Sequence, residues 1–120
     1  MSTVSWWISI ALAVVYLPAG LMKVVVPKGR LESNAQFGWM RTMSSSMVKG
    51  IGAAEILGGL GVIAPRLAGI SPALGVAAAW GLAAVQVGAI VVHARRREFA
   101  TLPVNVVLLV LAVVLAAGLV

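Results

Sequence analysis

The chain has no cysteine in its 120 residues. That excludes disulfides, thiolate metal sites, thiol redox chemistry and covalent haem attachment through thioethers. Histidine occurs once and acidic residues three times. One histidine and one acid inside an apolar stretch fall short of the three protein ligands a catalytic metal usually takes, so a metal enzyme is not expected, and a haem site is no better supported. Charged residues are 10% of the chain, against about 25% in an ordinary soluble domain. No linker, low-complexity segment or internal repeat is visible, and the paired inverted halves of many transporters are therefore missing. What the chain has in excess is apolar surface. Hydrophobic residues make up 62% of it and the mean hydropathy is +1.09. No water-soluble core of this length hides that much, so the reading is an all-α integral membrane protein, a single domain over residues 1–120.

A membrane-spanning helix needs roughly 20 mostly apolar residues to cross a hydrocarbon core of about 30 Å. Four stretches qualify, at about 4–22, 47–65, 73–94 and 102–120, and together they predict a four-helix transmembrane bundle. The first lacks the basic start of a signal peptide and is too long for one, so it is read as a retained span. Trp6 and Trp7 suit the aromatic belt at a membrane interface. Pro18 and Gly20 predict an irregular last turn. Between the first and second spans, Pro27 and Gly29 punctuate a turn. There Leu31, Phe37, Trp39, Met40 and Met43 are interleaved with Glu32, Asn34, Gln36 and Arg41, the mixture of a segment lying in the interface. Ser44, Ser45 and Ser46 offer an N-cap hydroxyl for the second span. Pro65 closes that span, Arg66 to Ser71 form a tight link, and Pro72 suits the first turn of the third.

The net charge of +6 falls in the loops, which argues topology rather than nucleic-acid binding. Lys23, Lys28, Arg30, Arg41 and Lys49 face only Glu32 in one loop, and Arg95, Arg96 and Arg97 face Glu98 in another. With four spans both loops share a side, opposite Arg66. An excess of Lys and Arg marks the cytoplasmic face, so both termini are expected outside.

Polar residues within the spans single out a candidate site. Glu55 stands in the middle of the second span, where an ionised side chain costs about 3 kcal/mol to insert. Such an acid faces the bundle interior and pairs there, and Lys23 at the end of span one is the natural partner. Tyr16 and Lys23, like Gln86 and His93, are seven residues apart and share helical faces. Asn105 opens span four from the same side. The expected site thus groups Glu55, His93 and Lys23 as chemical residues with Tyr16, Gln86 and Asn105 as ligand contacts, all toward the basic-loop end, while the other half contributes almost nothing polar. Gly52, Gly58 and Gly59 flank Glu55, and Gly50, Ala54 and Gly58 form a neighbouring ridge of the small residues that let helices approach in lipid. Each residue also has a plainer use. Lys23 can snorkel to the headgroups, His93 can sit in the interface, Gln86 and Asn105 can join helices by hydrogen bonds, and the arginine run can contact anionic lipid.

Taken together, "PAGLMK" with Lys23, "IGAAEILGGLGVIAP" with Glu55, a histidine and basic cluster ending span three, and "LPVNVVLLVLA" opening span four resemble the DoxX-like family of small bacterial membrane proteins. The resemblance covers nearly the whole chain. It implies a four-helix transmembrane bundle and a multi-pass place in the bacterial cytoplasmic membrane. The family's name comes from a subunit associated with thiosulfate:quinone oxidoreduction, and some members are linked to membrane oxidative-stress complexes. This chain has no cysteine for sulfur chemistry. At the level of fold alone, the bundle is similar to that of membrane sterol isomerases and terpene cyclases.

Three functions follow as expectations. The first is a redox-associated subunit that binds a quinone, or another apolar or amphipathic molecule, in the basic-loop half; an apolar bundle with one polar end suits a head-and-tail ligand. The second is a membrane enzyme using Glu55 as general acid or base on an apolar substrate, with His93 or Lys23 assisting. The third is a non-catalytic assembly protein that packs partner helices against its small-residue ridges. Membrane lipids, a homo-oligomer or other subunits are the partners in view.

Overall fold

The computed structural model describes residues 2–120, and the side chains of all of them except residues 35 and 36. Its elements are helices: α1 (Thr3–Val25), α2 (Lys28–Glu32), α3 (Ser45–Ala68), α4 (Pro72–Arg95) and α5 (Leu102–Ala116), with 3-10 segments at Ala35–Thr42 and Phe99–Thr101. α1, α3, α4 and the run Phe99–Ala116 are each long and apolar enough to cross a membrane. A helix of 24 residues rises about 36 Å, which matches the bilayer core with a turn to spare.

Local sequence sets the helix ends. The Ser2 hydroxyl accepts from the Ser5 amide at 3.0 Å, and Ser44 accepts from Met47 at 3.1 Å, each satisfying an amide that the first turn leaves free. Pro72 occupies the first turn of α4, where its missing N–H costs nothing. α3 does not stop at Pro65. It runs on to Ala68 and ends where Gly69 adopts φ +66°, a left-handed conformation that glycine enters without penalty. The link to α4 is accordingly shorter than the sequence suggests. α1 likewise continues past Pro18 and Gly20 to Val25 and carries Lys23 within its last turn. α5 ends at Ala116, four residues short of the expected limit, because Gly118 at φ +70° turns the chain out.

The four long helices form a ring in which α1 packs on α3, α3 on α4 and α4 on α5, with a looser contact from α5 back to α1. α3 is the central member, and its glycines explain why. A Cβ on Gly52 would fall 2.7 Å from the Gly20 carbonyl oxygen of α1, and one on Gly59 would fall 3.0 Å from Leu17. On the other side, a Cβ on Gly58 would overlap Leu82 of α4 and one on Gly61 would fall 2.5 Å from Ala78. Two glycine ridges thus bring two neighbours close, as small residues do in lipid. They differ from the expected ridge: Gly50 and Ala54 are exposed, and a Cβ on Gly50 meets nothing.

Leu12, Tyr16, Val62, Ala79, Leu82, Ala83, Ala112 and Ala116 form the core of the ring. Outside it, Trp7, Val14, Leu57, Leu67, Val104 and Leu119 are all more than half exposed. Apolar exposure on this extent is untenable in water and is what a lipid-facing surface requires. At the basic-loop end, α2 and the 3-10 segment fold into a cap. Leu31, Met40 and Val48 bury together, with Met22, Val26, Phe37, Trp39 and Met43 packed around them. The interfacial segment read from sequence is therefore a small packed layer with its own core.

Candidate functional site

The site begins with a buried ion pair. Lys23 of α1 and Glu55 of α3 are 8% and 5% exposed, and Lys23 Nζ lies 2.7 Å from Glu55 Oε1. The close approach of Gly20 to Gly52, one turn away, makes this meeting possible. Both groups are withdrawn from the surface and meet at close range. Coulomb attraction needs only proximity, and the pair holds on that basis.

A second group of polar side chains crosses the ring beside it. Tyr16 Oη of α1 donates to Gln86 Oε1 of α4, in a short bond. Gln86 Nε2 donates in turn to Asn105 Oδ1 of α5 at 2.8 Å. Gly20, one turn along α1 from Tyr16, brings the two groups together, for a Cβ there would fall 3.0 Å from Glu55 Cβ. Tyr16 and Gln86 are 2% and 4% exposed. The far end of the chain is incomplete, for Asn105 Nδ2 is buried and has no hydrogen-bond partner. Leaving a buried donor unpaired costs roughly 1–3 kcal/mol, and such an atom in a folded protein calls for an explanation. Five of the six residues singled out from sequence, Tyr16, Lys23, Glu55, Gln86 and Asn105, thus belong to one region contributed by all four long helices.

The hydrogen bond that His93 makes is to Glu98 rather than to these five. Two turns beyond Gln86 along α4, His93 is about 10 Å further toward the helix end, as Lys23 is beyond Tyr16 along α1. His93 Nδ1 lies 3.0 Å from Glu98 Oε1, and its ring meets Trp39 edge-on at 6.1 Å. Arg96 Nε also donates to Glu98 Oε1 at 3.2 Å. Glu98 reaches back because α4 ends in a tight reversal: Glu98 N donates to His93 O at 2.9 Å while Arg97 adopts φ +57°, the arrangement in which glycine is the usual residue. The hydrogen bond with His93, helped by Arg96, holds the Glu98 carboxyl below the ordinary carboxylate range. This cluster pins the 3-10 cap to the end of α4.

The opposite half of the bundle is not as apolar as the sequence suggests. Ser5 and Ser9 are 4% and 0% exposed, and both line a cavity of about 460 Å³. Serine escapes notice because its hydroxyl bonds its own helix, yet Ser5, Ser9, Leu12, Tyr16 and Lys23 follow the spacing of one helical face. That periodicity was the available signal.

Four apolar membrane-length helices, closed on each other through glycine and enclosing a polar cluster, define an integral membrane protein of the multi-pass helical class. Its surface is in contact with lipid. The profile of the DoxX-like family matches residues 7–115, and the chain belongs to that family. No curated protein and no solved structure matches it significantly.

Proposed function

We propose that this DoxX-like protein is a redox-associated membrane subunit that binds a quinone, or a lipid-like molecule with a similar carbonyl head, in the Lys23–Asn105 half of the bundle. The observation that carries the reading is the buried, unpartnered Asn105 Nδ2 at the end of the Tyr16–Gln86–Asn105 chain. A ligand carbonyl is the acceptor that completes it. Quinones have such oxygens on a compact ring with an apolar tail, and the bundle pairs a polar cluster with apolar walls. Asn105 would hold the carbonyl, with Gln86 and Tyr16 fixing the amide's orientation. A bound quinone would supply electron transfer; the side chains themselves bind and orient. Glu55 favours binding over acid–base chemistry, since its buried carboxylate is engaged by Lys23 at 2.7 Å rather than free to exchange a proton with a substrate. In this reading the basic-loop end faces the cytoplasm of a bacterial cell.

Purification from native membrane, followed by mass spectrometry of the co-purifying small molecules and proteins, tests this directly. A quinone or other carbonyl-headed amphiphile should be recovered with the wild type and lost from Asn105→Leu, which keeps the volume and removes the donor. Undiminished ligand in Asn105→Leu would overturn the assignment. Turnover of an added lipid would establish an enzyme instead, and a stoichiometric protein partner without ligand would establish an assembly factor.

A further inference from the structure

The end of the bundle opposite the Lys23–Glu55 pair holds a cavity of about 460 Å³, bounded by Ser5 and Ser9 of α1, Val62 and Arg66 of α3, Gly75 of α4 and Leu115 of α5. Small-molecule sites are typically about 300–1,000 Å³. The wall carries built-in polarity. Ser9 Oγ donates to the Ser5 carbonyl and Ser5 Oγ to the Ser2 carbonyl, both at 2.9 Å. A hydroxyl has one proton, and both are spent on the helix's own backbone. Ser9 is 0% exposed and sealed behind the wall, whereas Ser5, at 4%, keeps an acceptor oxygen at its edge. Arg66 supplies charge at the mouth. Its guanidinium carbon stands 5.1 Å over the Trp6 ring, and none of the ion pairs among the described residues involves it. The chain's three acids, Glu32, Glu55 and Glu98, all belong to the other half. The first turn of α4, with Pro72 on the cavity wall, adds the positive end of its helix dipole.

A cation, one hydroxyl acceptor and an apolar floor select a ligand that joins an anion to a free hydroxyl and is attached to hydrocarbon. The α1–α5 seam is the loosest in the ring and gives the hydrocarbon an exit to the bilayer. We infer that this cavity is a lipid site, seating the headgroup of an anionic glycerophospholipid with its phosphate on Arg66, a hydroxyl on Ser5 and its acyl chains leaving between α1 and α5. The site is independent of the quinone reading and lies at the other end of the bundle.

Native mass spectrometry of the protein from mixed micelles holding equal phosphatidylglycerol and phosphatidylcholine tests it. One phosphatidylglycerol should be retained preferentially. Arg66→Gln should weaken that retention about tenfold, the scale of one charge-assisted hydrogen bond. Arg66→Lys should restore part of it, and Arg97→Gln, at the opposite end, should leave it unchanged. Leu115→Trp, which fills the cavity from α5 without touching a charge, should also release the lipid. Equal retention of the two lipids, or full retention in Arg66→Gln and Leu115→Trp, overturns the inference. Displacement of the lipid by glycerol 3-phosphate alone at matched concentration overturns the assignment to a lipid and makes the ligand a soluble anion.

Discussion

A lysine and a glutamate buried 2.7 Å apart depend on each other more than either contributes to the fold. Removing one partner of a buried pair costs about 3–5 kcal/mol, because the other charge is left alone, whereas replacing both with apolar groups can be nearly neutral. Glu55→Gln and Lys23→Met should therefore each lower stability in detergent by an amount of that order, and the double variant should recover much of it. Simple additivity in the cycle would mean that the two side chains do not interact. Glu98 offers a contrasting case near the surface. Its folded carboxyl is held below the usual value of 4.5, so its contribution is fully present above that value and is lost as pH falls through the lower folded value. The difference in melting temperature between wild type and Glu98→Gln should be constant at neutral pH and vanish in that acidic window; a difference that persists in acid would show that the charge is not what fastens Glu98 to His93. The five residues of the polar cluster were legible in the sequence because a charge or amide in a membrane span must be explained. The partner of His93 was not, since it depends on the left-handed turn at Arg97, which no residue type there announces.

Helix packing turns on where glycine faces. Gly20 and Gly52 oppose each other backbone to backbone, and a Cβ on Gly20 would fall 2.5 Å from the Gly52 carbonyl oxygen. A backbone atom cannot rotate away, so Gly20→Ala should separate α1 from α3 and cost about 1–3 kcal/mol, as overpacking does. Gly50→Ala meets only open space and should be neutral or stabilising by up to about 1 kcal/mol, the difference in helix propensity. Thermal melts of the two variants in detergent check the pair; equal loss in both would show that α3 does not approach α1 through this face. The number of spans and their centres could be read from hydropathy alone. Their ends could not, because proline is a weaker stop in a membrane helix than in water, and α3 passes Pro65 before Gly69 ends it. The choice between neighbouring glycine ridges also escaped the sequence, for a ridge has no preferred partner until all four helices are in place.

The asymmetry of charge between the two ends of the bundle predicts a direction in the membrane. The loops at 23–49 and 95–98 hold most of the basic residues, and cytoplasmic loops carry the excess of Lys and Arg. A reporter enzyme active only outside the cytoplasm should be active when fused after Val120 and inactive when inserted at Arg96; the reverse pattern would invert the protein. Between the ends lies a layer in which Leu12, Val62, Ala79, Leu82 and Ala112 are all 0–1% exposed. It separates the serine-lined cavity from the Lys23–Glu55 cluster with closely packed hydrocarbon, and hydrophobic constrictions of this kind block ions by excluding water. The bundle is in that respect an insulator. Vesicles reconstituted with the protein should hold a proton gradient as long as empty ones, and polar chemistry at one end can proceed without discharging the membrane that contains it.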